Sequence, residues 1–244
     1  MILQTHIPYD PRDRRRLPGI QPLGDAPWLL VDDAYPAQMA ERDRLIAGQR
    51  EAVIALDPDA RPAADELLET VLASLPDGFS LSGGQACRPD GVEVPLDRGD
   101  PLGTLGRLVQ EDLCLIEKRD GPEHLLTGAV LCFPARWSLA AKMMRPLTAI
   151  HEPVAAYDDS VAPRVQRLFD GVQPGCPIWR YNALATDDPT LFQPQAAPHA
   201  TKWQGGTYMR SERQVVMRLP ETRAAVFSIH SYMIEFARLE AIWG

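Results

Sequence analysis

The 244-residue chain has no apolar run near the ~20 residues that a membrane-spanning helix requires, so no membrane partner is expected. It has no excess of positive charge. The formal net charge is −8, which argues against nucleic acid and against an anionic membrane surface as partners. Cysteine is scarce: Cys87, Cys114, Cys132 and Cys176 are the only four, and no two stand in a CxxC or similar metal spacing. A disulfide framework is therefore not expected, and the implied setting is a reducing cytoplasm. The opening stretch MILQTHIPYDPRDRRRLPGI is polar and proline-rich, without the apolar core of a signal peptide. Common catalytic signatures are missing too. There is no GxSxG, no HExxH, no phosphate-binding P-loop and no GxGxxG between a strand and a helix.

What is there reads as a soluble globular protein, 45% hydrophobic and 24% charged. A chain of this length hides roughly 70% of its unfolded surface. Residues 1–27 carry five prolines and a basic knot from Arg12 to Arg16, and are expected as an extended arm. Residues 28–244 are expected as a single domain, helical over 28–76 and with its sheet core over 108–235. In VDDAYPAQMAERDRLIAG, Asp32 and Asp33 are candidate caps, Met39, Leu45 and Ile46 form an apolar stripe, and Gly48 is a stop. RPAADELLETVLASL repeats the pattern with Pro62 in its first turn. Residues 80–106, rich in Gly and Pro, show little regular pattern.

From residue 108 the period becomes that of strands. LVQEDLCLIEK and HLLTGAVLCFP flank the turn cluster Arg119–Pro122, which predicts a hairpin. A short helix is expected from Ser138, and another over about 158–170. Three more strands follow in CPIWRYNAL, TYMRSERQVVMRL and AAVFSIHSYM. The fold class is α+β: helices first, then an antiparallel sheet with a helical insert.

Alternation assigns faces. Tyr208, Arg210, Glu212 and Gln214 share one face of their strand, and Arg180 and Asn182 share one face of theirs. Trp179, Tyr181 and Ala183 lie opposite. Ser228, His230 and Tyr232 share a face. Taken alone, the Arg210–Glu212 alternation reads as a solvent-facing strand with an exposed ion pair. Three adjacent strands can also present Arg, Asn, Glu, His and Tyr into one cleft, if register allows.

Of the five histidines, His6 and His124 read as solvated and His199 as a loop residue. His230 lies on a strand. His151 stands out: it follows Leu147 and Ile150 and precedes Pro153, at the end of an apolar element. A neutral imidazole in such a place suits a metal or haem iron, and equally suits a core histidine.

Several ordered stretches, WLLVDDAYPAQMAERDRLI, RLVQEDLCLIEK, LTGAVLCFPARWSLAAKMMRPLTAIHEPVAAY, IWRYN and RSERQVVMRLPETRAAVFSIHSYM, resemble the haem-dependent oxidative N-demethylase alpha-subunit family. The likeness runs from about residue 28 to 235. It implies a PAS-like fold whose antiparallel sheet and helices enclose a cleft for haem b. It implies a monooxygenase-type oxidative N-demethylase that removes a methyl group from a small secondary amine as formaldehyde. Electrons would come from a separate reductase component carrying FMN and a 2Fe–2S cluster.

The IH-P-V segment matches the family's pattern around its axial ligand, which gives His151 the role of haem-iron ligand. Within this resemblance Arg180, Arg210 and Lys142 are candidates to pair with haem propionates, and Asn182 joins the cofactor-binding set. Glu212 is the candidate proton relay or amine anchor, and Tyr181 a candidate hydrogen-bond donor to a distal ligand. Where the family carries a tryptophan after the asparagine of WRYN, this chain has Ala183. Two other readings stand beside the enzyme: a non-catalytic PAS-type haem sensor or carrier, and a haemless structural or interaction protein.

Overall fold

The computed structural model describes residues 1–13, 19–151, 162–195 and 206–244. Its frame is set by two long hairpins, the first of which the sequence predicts. Strands β6 (Asp112–Lys118) and β7 (His124–Val130) close around the Arg119–Pro122 turn, with a register shift between Leu115 and Ile116. Strands β9 (Tyr208–Arg218) and β10 (Ala225–Glu235) close around residues 219–224, pairing in one uninterrupted register. Three further strands, β1 (Gln21–Pro22), β2 (Ile54–Leu56) and β8 (Ile178–Thr186), complete a seven-stranded sheet of order β1-β8-β9-β10-β6-β7-β2. Every adjacency in it is antiparallel. The architecture is mixed α+β, as expected.

Helices cover both faces. On one lie α1 (Tyr35–Gly48), α3 (Arg61–Leu72) and α4 (Pro101–Leu108); the four-residue α2 (Arg50–Val53) leads into β2. Leu45, Ile46, Leu67, Leu68, Leu102 and Leu105 from these helices pack with Leu113, Leu115, Val130 and Val226 of the sheet. The amino-terminal residues extend this layer. Ile7 and Tyr9 pack on Met209, Tyr232 and Ile234, with Trp179, Tyr181 and Ala183 beside them. Gln4 behaves as a one-residue strand: its N–H donates to Met233 O at 2.9 Å, and its side-chain oxygen accepts from Met233 N at 2.8 Å. This side is the arm face.

The opposite side is the insert face. Between β7 and β8 the chain forms α5 (Leu139–Lys142), α6 (Leu147–His151) and α7 (Ala162–Gly171). Leu139, Leu147 and Phe169 pack there on Cys114, Ile116, Leu126, Val216, Ala225 and Ile229. A carboxy-terminal helix, α8 (Phe236–Trp243), follows β10 directly.

Three expectations are corrected. Residues 80–106 are not irregular: β3 (Ser80–Ser82), β4 (Gln85–Cys87) and β5 (Glu93–Pro95) make a second sheet, and α4 begins at Pro101. Gly83 and Gly84, with φ of 59° and 79°, form the tight β3–β4 turn that only positive φ at both positions permits. The start of α4 is written as Asp100-Pro101, with the Asp100 side chain accepting from Gly103 N at 3.1 Å. Second, neither Asp32 nor Asp33 caps α1, whose N-cap is Ala34; Asp33 instead accepts from Thr5 N at 2.7 Å. Third, His124 is not solvated. It is 1% exposed and its Nδ1 meets Gln166 Oε1 at 2.9 Å.

Gly106 explains how α1 and α4 approach the sheet so closely. A Cβ at this position would stand 2.6 Å from Val130 Cγ2 and 2.8 Å from Ile46 Cδ1. A larger residue here requires the Val130 and Ile46 side chains to give way.

Candidate functional site

Strands β8 and β9 bring a polar row onto the insert face. Their register sets Arg180 opposite Gln214, Asn182 opposite Glu212 and Leu184 opposite Arg210. The row is bonded end to end. Arg180 Nη1 donates to Gln214 Oε1 at 3.0 Å, and Gln214 Nε2 donates to Glu212 Oε2 at 3.0 Å. Asn182 Nδ2 donates to the same oxygen at 2.9 Å, while its own Oδ1 accepts from Glu212 N at 3.2 Å. The other carboxylate oxygen, Oε1, has Arg210 Nη2 at 3.7 Å.

Alternation gave the sharing of this face correctly, but the solvent-facing reading is overturned. Arg210, Glu212 and Gln214 are 3%, 8% and 7% exposed, and the loops at Phe133 and Leu191 close on Arg210. Asn182 remains exposed, so the row opens outward at that point. Burial holds the guanidinium of Arg180 below its ordinary pKa, with the Glu212 charge opposing, and burial does the same to Arg210. Three buried polar atoms of this face, Arg180 Nε, Arg210 Nε and Ser231 Oγ, have no hydrogen-bond partner among the described residues. Alongside lie the apolar Val216, Ile229, Phe227 and Ile178.

The two arginines are held differently. Arg210 donates to the backbone oxygens of Leu191 and Phe133 and so ties two loops to β9. Arg180 makes one described hydrogen bond, to Gln214, and is only half-buried. Lys142, at the end of α5, donates through Nζ to Ile150 O. His151 ends α6, whose Leu147 and Ile150 pack on the insert face. The His151 side chain lies outside the described residues, as do Pro153, Ala155, Ala156, His199 and Arg14 to Arg16.

Tyr181 stands apart from the row. It is on the arm face, stacked on Tyr9 with ring centroids 4.3 Å apart, and its hydroxyl donates to Asp13 O at 2.8 Å. Ala183 shares that side, packed with the same aromatic cluster. The single cleft of Arg, Asn, Glu, His and Tyr also divides: Ser231, not His230, lies opposite Glu212, so His230 and Tyr232 face the arm.

His230 is committed elsewhere. Its Nδ1 meets Glu111 Oε1 at 2.9 Å and its Nε2 meets Asp32 Oδ2 at 3.1 Å. Burial alone pushes its pKa down, but hydrogen bonds to Asp32 and Glu111, with their charges, outweigh this and raise it from 6.5 to about 9. An imidazolium donating from both nitrogens has no lone pair for a metal. The sign for stability follows. The folded form holds the proton more tightly than the unfolded chain, so this contribution is complete below about pH 6.5 and is lost as pH rises through about 9. The groups facing the ring are Asp32, Glu111 and, with its ring tilted by 50°, Tyr232, whose pKa burial raises far above this range. The urea midpoint is expected to fall between pH 7 and pH 9.5, and His230→Gln to flatten that fall. An equal fall in the variant would remove His230 as its cause.

No group of three or more His, Cys, Asp or Glu among the described residues is arranged to hold a bare metal ion. No helix among them is long and apolar enough to cross a membrane. Two participants carried no motif in the sequence. Gln214, which links Arg180 to Glu212, was visible only as the next member of the Arg210–Glu212 alternation. Glu123, which binds the start of α6, was visible only as a carboxylate after a turn. A family model described as haem-dependent oxidative N-demethylase, alpha subunit-like, matches residues 19–242.

Proposed function

The chain belongs to the haem-dependent oxidative N-demethylase alpha-subunit-like family, and from this premise we propose that it is the haem-binding subunit of an oxygen-dependent N-demethylase acting on a small secondary amine. The observation that carries the reading is the insert face. There a buried carboxylate and an under-bonded arginine adjoin apolar side chains, on the sheet face that also packs Leu147 and Ile150 of the helix ending in His151. An apolar macrocycle with anionic propionates suits such a surface, and an arginine side chain is the usual planar partner of a carboxylate. In this reading the sheet and its insert form a PAS-like haem cleft. Haem b, when bound, supplies the oxygen activation that oxidation of an N-methyl group requires.

The remaining roles belong to the chain. His151 would hold the haem iron. Arg180, with Nε buried and unpaired among the described residues, would pair a propionate beside Gln214. Asn182 and Gln214 occupy Glu212 Oε2 and fix the carboxylate plane, which leaves Oε1 to hold a protonated amine or to pass a proton. Arg210 holds the loops that wall the face. The aromatic cluster around Tyr181 supports β8 from behind. Electrons come from a separate flavin and iron–sulfur reductase subunit, and the protein works in the cytoplasm.

Reconstitution with haemin tests the reading. Wild type is expected to give a shifted Soret band, and His151→Ala to lose that shift with its far-UV circular dichroism unchanged. A variant with the wild-type Soret band would remove His151 from the iron. Failure of wild type to take up haemin would leave the haemless reading. Amine-dependent oxygen consumption with a reductase separates the enzyme from a sensor.

A further inference from the structure

A five-residue helix is not stable by itself, because its nucleation cost exceeds what one turn of hydrogen bonds returns. Its terminal N–H and C=O groups also need outside partners. α6 finds a charged partner at each end. At its start, Glu123 Oε2 accepts from Thr148 Oγ1 at 2.6 Å and from Thr148 N at 3.4 Å. At its end, Lys142 Nζ donates to Ile150 O, the carbonyl joined to His151 N. The approach to α6 is held as well: Met144 N donates to Leu126 O at 2.8 Å, and Leu125 bridges Pro146.

The same Glu123 oxygen reaches α7. Gln166 Nε2 donates to it at 3.2 Å, and Gln166 Oε1 meets His124 Nδ1 at 2.9 Å. One carboxylate oxygen therefore binds both helices that flank residues 152–161. Glu123 immediately precedes β7, so its backbone is as fixed as the sheet; Lys142 is the last residue of α5.

We propose that Glu123 and Lys142 are positioning residues that clamp the two ends of α6 and so aim His151 at the haem iron. This rests on the reading of His151 as axial ligand. It assigns Lys142 to the backbone beside the ligand. A ligand held by a bracketed helix keeps one distance and one ring orientation; a frayed helix lets both vary. Partners that orient a metal ligand typically affect metal affinity 10–100-fold.

The test uses full-length protein reconstituted with haemin. It reads the rate of haem transfer to an excess of a haem-scavenging globin, and the visible bands that report spin state. Glu123→Ala and Lys142→Met are expected to speed transfer about 10-fold or more and to mix spin states. Glu123→Gln keeps an oxygen acceptor for Thr148 and is expected to restore the wild-type spectrum. Glu66→Ala is the control for a merely structural loss. Glu66, on α3, whose apolar residues pack in a different cluster from those of α6, accepts from Glu221 N at 2.7 Å and Thr222 N at 2.8 Å, and its loss is expected to lower the melting temperature without moving the spectrum. Wild-type transfer rates and bands in both Glu123→Ala and Lys142→Met, with His151→Ala losing its signature, overturn the clamp and leave His151 as ligand. A wild-type spectrum in His151→Ala overturns the reading and the clamp together. Should Glu123→Ala fail to fold, Lys142→Met decides.

Discussion

Glu212→Gln is expected to slow amine-dependent turnover by about 10²–10⁴-fold while leaving haem affinity near wild type. At ~1.36 kcal/mol per decade this is roughly 3–5 kcal/mol of transition-state stabilisation. The hydrogen bonds dictate how the new amide sits. Asn182 Nδ2 and Gln214 Nε2 both donate to Oε2, so the amide oxygen must take that position. The amide nitrogen then replaces Oε1, which removes the negative charge and turns an acceptor into a donor 3.7 Å from Arg210 Nη2. Packing is conserved, because the side chains are isosteric. Steady-state oxygen consumption with a reductase supplies the number. Unchanged kcat and KM would show that Glu212 is only part of the wall.

Asp112→Ala is expected to lose about 3–5 kcal/mol of folding stability, a large share of the ~5–15 kcal/mol typical of a domain. Arg42 and Asp112 form an ion pair at 2.7 Å with side chains 0% and 1% exposed. Arg42 also donates to the backbone oxygens of Gly106, Gln110 and Glu111, and lies 5.5 Å from the Phe133 ring centroid. Asp112 accepts from Cys132 N at 2.7 Å and Phe133 N at 2.8 Å. Removing the carboxylate leaves a buried guanidinium and two backbone N–H groups without their acceptor. Urea unfolding of the variant without haem measures the loss. A change below ~1 kcal/mol would mean that Arg42 finds other partners as the site relaxes.

The hairpins were legible because their turns are written in local chemistry, as in Arg119–Pro122. Strand parity was legible for the same reason: a period of two needs only neighbouring residues. What alternation cannot supply is which side of a sheet is covered. The polar row 210–212–214 reads as solvent-facing until its side chains are found buried, with the loops at Phe133 and Leu191 bonded to Arg210. Arg42 was hidden differently. It sits within the buried stripe of α1, where a single arginine among Met39, Leu45 and Ile46 carries no local sign of a partner 70 residues away. His230 was misplaced because parity within a strand says nothing of register between strands. The short β3–β4–β5 sheet fell below the length at which periodicity is visible, although its Gly83-Gly84 turn was readable. The role given to His151 came from likeness to a family, since spacing did not separate a ligand from a core histidine.

The two-faced construction of β8 and β9 has a consequence for how this protein can change. Even-numbered positions 180, 182, 212 and 214 present side chains to one layer, and odd-numbered positions 179, 181, 183, 211 and 213 to the other. Neighbours in sequence thus belong to separate neighbourhoods, while partners across strands share one. Substitutions of opposite parity combine near-additively, and those of like parity do not. Selection for new chemistry can therefore vary the even positions as one linked block, while the odd ones are held constant to keep the scaffold standing.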